Sequence, residues 1–506
     1  MEDYDNENGE KAVMLDPAEI DEEIISDNDE DAVMESGSEC SDTNKDFQIS
    51  QELHLQNDSC AHFDWHKDSI FCIAQHPINL NIVATGASEG HDAGGMGYVF
   101  DASANFPVAR EKTNNSSNET IEKTSLEPLF KIEGHTDSIC AMTFTLPKGE
   151  LLLSGGLDGK LRAYVEKPFR TWSFIGDVQE VEEINWLTPC PNKQFSNVVA
   201  FGASDGSVWV YAVDSKSEGA PFQMIQSYFL HMGSCTAGSW SNDGKLLATV
   251  SEDGSLYVWD VFGEFNSAEV SQQGAGGHVV GLTKSDQRFA VDGGLYSVAI
   301  APNGTFLAVG GSSGSIKIVS LPRLPSDHLS TPNSNVSKGK AGKKIGGKSC
   351  ESGISQRQAG QILADLNVQG DGIETLAFSP NLASFLAAGS VDGSIAIFDS
   401  AHQFAVRRLI KGAHQDHSVV KVEFVQNPST EGYLLTSCGM DGVVRRWDIR
   451  GGTDNGLLYE WKGHRGDGEY GGVLDFVQGD GSRIVTAGDD KISLVFDSSI
   501  PPTSKP

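Results

Sequence analysis

Cys438-Gly439-Met440-Asp441-Gly442-Val443-Val444-Arg445-Arg446-Trp447-Asp448 ends one apolar strand, turns on Asp-Gly and runs a second strand out to Trp-Asp. The same device recurs along the chain. Its second strands read Tyr98-Val99-Phe100-Asp101, Arg162-Ala163-Tyr164-Val165, Trp209-Val210-Tyr211-Ala212 and Tyr257-Val258-Trp259-Asp260. They continue as Lys317-Ile318-Val319-Ser320, Ala396-Ile397-Phe398-Asp399, Arg445-Arg446-Trp447-Asp448 and Leu494-Val495-Phe496-Asp497. Self-similarity at a period of roughly 40 residues marks a radial array of small sheets, each too small to bury its own faces. Eight such units predict one closed all-β propeller of eight blades, read approximately as 62–101, 126–166, 171–213, 222–262, 285–321, 361–400, 403–450 and 457–499.

Working outward, residues 1–46 hold 18 Asp and Glu against Lys11 and Lys45, about half of the net charge of −33. That charge density with few aromatics predicts a disordered acidic tail. The alternating stretch 47–55 reads as a strand, placed to pair with the last unit and close the ring without a bare edge. The propeller is thus expected over 47–500, with 501–506 as a short tail. Loop insertions are expected at 102–125 (Asn/Ser/Thr-rich), 263–284 (Gly/Ser/Gln-rich) and 322–360, the last carrying Lys338, Lys340, Lys343, Lys344 and Lys348.

Composition excludes several classes. No apolar run approaches the roughly 20 residues that span a bilayer, so membrane insertion is not expected. Met1-Glu2-Asp3-Tyr4-Asp5 lacks the basic and apolar regions of a secretory signal. Eight cysteines without CxxC spacing fit a reduced chain with no structural zinc, so a cytoplasmic protein is expected, with nuclear residence left open by the basic cluster at 338–348. The units remain acidic apart from the tail, a field that repels nucleic acid and attracts basic partners. Neither a cofactor nor a metal is implied.

Gly134-His135, Gly463-His464 and Trp447-Asp448 are WD40-repeat signatures. Resemblance to that family implies a buried network of His, Ser/Thr, Asp and an aromatic in each complete blade. Matching sets are His135, Ser154, Asp158 and Tyr164, then His414, Ser437, Asp441 and Trp447, then His464, Thr486, Asp490 and Phe496. A Ser/His/Asp grouping also suggests a hydrolase triad, but periodic recurrence favours packing, and no catalytic residue is assigned. Gly342 to Ser349 satisfies a phosphate-loop pattern without the flanking strand and helix that chemistry requires. Gly310-Gly311-Ser312-Ser313-Gly314 matches a nucleophile elbow but falls between two strands of unit five, where a plain turn suffices.

The residues that vary between units carry the functional signal. Resemblance to WD40 propellers implies that the loops entering the inner strands and the turns between the middle and third strands of each blade share one face. There the sequence offers Asp68, Asp137, Glu180, Glu182, Glu252, Asp371, Glu374, Asp416, Asp467, Glu469 and Asp489. A solvated acidic surface is the bland reading. Like charges gathered on one ring repel, however, and a basic peptide laid across them relieves that repulsion, best through arginine.

His66-Lys67-Asp68-Ser69-Ile70-Phe71-Cys72, Ile373-Glu374-Thr375-Leu376-Ala377-Phe378, the stretch 389–399 and the stretch 438–448 resemble the angio-associated migratory cell protein family. That family includes a fungal chaperone dedicated to a large-subunit ribosomal protein. The resemblance implies a monomeric, non-catalytic platform whose acidic face captures the basic N-terminal segment of a ribosomal client related to the bacterial L-sixteen type. The basic insertion departs from the family pattern. Two alternatives stand beside this reading: a signalling scaffold, and a substrate adaptor of a cullin-RING ubiquitin ligase docking through Asp448 and Arg450 of the Trp447-Asp448-Ile449-Arg450 box.

Overall fold

The computed structural model describes residues 56–90, 94–103, 123–168, 170–217, 219–264, 277–322, 359–380, 385–427, 432–450, 456–465 and 471–499. They form eight sheets, seven antiparallel ones of four strands and one of five with a parallel pair at its edge. The inner strands are Ile70–Gln75, Ile139–Phe144, Ile184–Pro189, Cys235–Trp240, Leu295–Ile300, Ile373–Phe378, Val419–Phe424 and Val473–Val477. Each neighbours the next and the eighth neighbours the first, which closes the ring. We number blades 1 to 8 in that order.

Every inner strand slips register once, immediately after its first residue. One residue per blade is left unpaired there as a bulge, and such bulges bend the strand and re-aim a side chain. The second strands are the driest elements: Leu151–Gly156, Val198–Ala203, Leu246–Ser251 and Phe385–Ser390 are buried at every position. They read as continuous apolar runs because blades pack on both of their faces. Between blades 3 and 4 the Trp186 indole fills the wall, and a Cβ on either Gly202 or Gly238 would run into it.

Three features differ from the sequence expectation. First, seven of the eight repeat units are divided between two blades, unit five alone lying within one: Pro128–Ile132, which opens the second unit, is the outer strand of blade 1. Second, the stretch 47–55 lies outside the described residues, and the strand paired with Ser493–Asp497 is Ala61–Phe63. Three residues suffice because Phe63 is fully buried and stacks on Phe100 at 4.3 Å and 12°. On its other edge Ala61–Phe63 pairs in parallel with Thr124–Ser125, the fifth strand of that sheet. Third, the end of the expected loop at 263–284 is the outer strand of blade 4, His278–Leu282. Val280 and Leu282 alternate into the core there, a signal masked by the polar, glycine-rich run before them. The phosphate-loop pattern and the lysine cluster at 338–348 lie outside the described residues. Gly310 and Gly311 end a strand, and Ser312–Gly314 is the turn after it, with Ser313 at φ 58° in place of the usual Asp-Gly.

Candidate client-binding face

The two kinds of loop meant to share a face are physically stapled together. In seven blades the backbone N–H of the first residue after the second strand donates to the carbonyl just before the inner strand, at 2.9–3.2 Å. The pairs are Leu157 to Ser138, Ser204 to Glu183, Glu252 to Ser234, Ser312 to Gly294, Val391 to Gly372, Met440 to Ser418 and Asp489 to Gly472. This bond sets both loops around the mouth of the central channel.

The buried networks hold those loops from below. His135 bridges Asp158 (3.0 Å) and Ser154 (2.8 Å); His414 bridges Asp441 and Ser437, both at 2.8 Å; His464 bridges Asp490 and Thr486, both at 2.8 Å. Trp447 donates its indole N–H to Ser437 at 2.9 Å. Ser154 and Ser437 are wholly buried, so neither hydroxyl can meet a substrate, and the triad reading fails on access. The His135 bond and the backbone N–H of Thr136 hold the Asp158 carboxyl down to about 2 against its own burial. His414 does the same for Asp441, also at about 2. Burial of His66 keeps its imidazole neutral, with its pKa pushed down to about 3.

Sequence reasoning missed three networks. In blade 4, His231 and Trp259 both bond Thr249, at 2.8 and 2.9 Å; Trp259-Asp260 was the available signal. There the second imidazole nitrogen meets Ser255 (2.6 Å), while Asp253 accepts from the Met232 N–H. In blade 1, His66 bonds Thr85 at 2.8 Å. In blade 6, Gln369 takes the histidine's place and donates to Ser394 at 3.0 Å, a substitution that a His-based pattern overlooks.

The carboxylates fall into distinct groups. Asp68, Asp137, Glu182 and Asp371 occupy one equivalent place, two residues before the inner strand. Asp68, Asp137 and Asp371 each accept the next backbone N–H, at 2.9, 2.6 and 2.7 Å, which fixes the carboxylate and leaves its second oxygen for another donor. Asp416 is exposed on a loop of the same kind, and Glu252 is exposed on the turn after the second strand of blade 4. Glu374 is the bulged residue of the blade 6 inner strand. The side chain is exposed at the surface, yet partial desolvation at its carboxyl, and behind it the like charge of Asp371, push that carboxyl above the ordinary value. Two residues are partly spent inside the fold. Asp489 accepts the Ser69 hydroxyl at 2.5 Å, tying blade 8 to blade 1, and Glu180 accepts the Tyr211 hydroxyl at 3.0 Å. Asp467 and Glu469 lie outside the described residues. Glu183 and Asp292 are exposed beside the same inner strands and belong with the set; aligning the units on the inner strands, rather than on the turns, would have found them. Cations are interspersed: Lys67 pairs with Glu89 at 3.0 Å, and Arg465 and Lys491 are exposed on blade 8.

Asp448 ends the third strand of blade 7, at the opposite end from the channel-mouth turn. Arg450 grips it with Nε at 3.1 Å and Nη2 at 2.7 Å, while remaining largely exposed. The two residues therefore stand away from the acidic face and are engaged with each other.

Fold and repeated network define a WD40-repeat propeller, and the WD domain, G-beta repeat pattern matches residues 126–164, 222–260, 287–320 and 360–399. Solved structures narrow the class. Sqt1 from Chaetomium thermophilum is 53% identical, covers 88% of this chain and 98% of that one, and superposes with a TM-score of 0.74. The chain belongs to the Sqt1 family of WD40 proteins. A second structure of the same relative, 52% identical over 88% of this chain with a TM-score of 0.73, is bound to the N-terminus of the ribosomal protein L10. The Saccharomyces cerevisiae ribosome assembly protein SQT1 is 25% identical over 89% of both chains. The human angio-associated migratory cell protein is 25% identical over 87% of this chain and 80% of its own.

Proposed function

We propose that this protein is a dedicated chaperone of a large-subunit ribosomal protein, capturing the client's basic N-terminal segment on its acidic channel-mouth face until ribosome assembly. The observation that carries the reading is the convergence of carboxylates from successive blades on one stapled ring. Asp68, Asp137 and Asp371 are already oriented by their own backbone, so a cationic segment meets fixed acceptors and little ordering cost remains. Charge-assisted bonds to such carboxylates are the strong kind. The long-range field steers a basic segment to the mouth. The site works by binding alone: the Ser/His/Asp sets hold loops, and the protein is not an enzyme. The cytoplasm, where ribosomal proteins are made, is the expected place of action, with a single chain sufficient as the platform.

Affinity purification of the tagged chain tests this directly. A ribosomal protein related to L10 should be recovered free of the rest of the large subunit. Recovery only as part of whole ribosomal particles, or no ribosomal protein at all, would overturn the proposal.

A further inference from the structure

The channel mouth carries more than charge. Among the bulged residues of the inner strands, Cys140, Asn185 and Thr236 each bond the next strand around the ring. Their contacts run to the carbonyls of Ile184 (2.7 Å), Cys235 (2.9 Å) and Leu295 (2.6 Å). At the same structural position blade 1 has Phe71 and blade 5 has Tyr296, and these rings stand 40% and 39% exposed. Blades 1 and 5 are four steps apart on a ring of eight, so the two aromatics face each other across the channel. Glu374, Val420 and Leu474 take this position in blades 6 to 8. Phe71 and Tyr296 are therefore the two aromatic rings among the eight bulged residues, and construction of the propeller gives no reason for a solvated ring at either place.

Both rings belong to strands that adjoin carboxylate-bearing loops. A Cβ on Gly294 would lie 2.8 Å from Glu252 Cα and 3.1 Å from the Tyr296 hydroxyl, which places that ring next to the Glu252 turn. Phe71 lies two residues after Ser69, which donates to Asp489 at 2.5 Å, and Asp68 precedes that serine. An aromatic face with an adjacent carboxylate suits a guanidinium specifically. Its plane stacks on the ring while its N–H fork meets the carboxylate, whereas an ammonium is a compact, strongly hydrated point charge.

We propose that Phe71 and Tyr296 are stacking plates for two arginine side chains of the bound segment, so that the face selects arginine over lysine at equal charge. The inference rests on the proposed capture of a basic segment and specifies its chemistry. Selectivity of this kind separates a client tail from the many lysine-rich basic segments in a cell, which an acidic ring alone would also attract.

The test is a titration of the full chain with two peptides: the N-terminal segment of ribosomal protein L10, and its copy with every arginine changed to lysine. The arginine form is expected to bind about tenfold more tightly, roughly the product of two stacking contacts of a few-fold each. The Phe71→Leu/Tyr296→Leu double variant should lose that preference, while Tyr296→Phe, which keeps the ring, should retain it. Thermal melting of each variant checks the fold, and these exposed positions should leave it unchanged. Equal affinity for the two peptides, or an undiminished preference in the double leucine variant, would overturn the inference. Failure of both peptides to bind the unaltered chain would instead overturn the proposed function.

Discussion

Removing one ring from the three-residue strand Ala61–Phe63 should open the propeller at one seam and nowhere else. Ala61–Phe63 makes only three residue pairs with the last blade, Ala61 to Val495, His62 to Leu494 and Phe63 to Ser493. Its hold comes from Phe63, which is fully buried, stacked on Phe100 and edge-on to Tyr98 at 5.5 Å. Truncating a buried phenylalanine to alanine costs about 3–5 kcal/mol through lost transfer energy and the cavity left behind. Two further aromatic contacts place Phe63→Ala toward the upper part of that range. The control is Phe398→Ala, equally buried but in the third strand of blade 6, away from the closure. Both variants should lose similar global stability in denaturant titrations. They should part in native-state hydrogen exchange, where the amides of Ser493–Asp497 lose protection by local opening only in Phe63→Ala. If those amides stay as protected in Phe63→Ala as in Phe398→Ala, Ala61–Phe63 is not what closes the ring.

The networks predict outcomes of their own. Ser437→Ala leaves His414 Nε2 and the Trp447 N–H without a buried partner, at about 1–3 kcal/mol for each orphaned group, measurable by chemical denaturation. An active-site-directed fluorophosphonate should leave Ser154 and Ser437 unlabelled in the native protein, since both hydroxyls are wholly buried; labelling of either would revive the triad. Acid should destabilise the protein in two stages. His66 and His231 are held neutral by burial, with pKa values pushed down to about 3 and about 4. The unfolded chain therefore binds more protons than the native one below the ordinary histidine range, and stability falls as pH drops from about 6.5. Asp158 and Asp441, held at about 2, contribute stability that is complete above about pH 4 and lost as pH falls toward 2, on the order of 2 kcal/mol each. Asp158→Asn with Asp441→Asn should flatten the lower stage of a urea-midpoint-versus-pH curve and leave the upper stage in place. An unchanged lower stage would show that these carboxylates do not carry it.

What the sequence could reveal tracks how often a signal repeats. Eight recurrences of one strand-turn-strand device, five of them with Asp-Gly turns, announce eight blades, and the His135, His414 and His464 sets follow from the family resemblance. Ala61–Phe63 is too short to show alternation, and its parallel pairing with Thr124–Ser125 is decided by tertiary contact. Gln369 was invisible because an amide does the histidine's work. On the acidic face the sequence placed Asp68, Asp137, Glu182 and Asp371 at equivalent sites. It could not tell that Asp489 is bound to Ser69, or that Glu180 is bound to Tyr211. Nor could it separate the exposed rings of Phe71 and Tyr296 from core aromatics. That distinction depends on a one-residue register slip, which flips a side chain out of an otherwise alternating strand.

The central claim is that carboxylates at the channel mouth capture a basic ribosomal segment. Glu182→Lys with Glu374→Lys reverses charge at two exposed positions, one free of any bond in the loop and one on a bulge, leaving the Ser69–Asp489 tie intact. The decisive measurement is the Kd of the ribosomal protein L10 N-terminal segment for the unaltered and the double-lysine chain across a series of salt concentrations. The unaltered chain should bind tightly at low salt and weaken steeply as salt screens the ring. The variant should bind at least about a hundredfold more weakly, about 3 kcal/mol for two reversed charges, with a shallower salt dependence. The same affinity and the same salt slope in both chains would contradict the account.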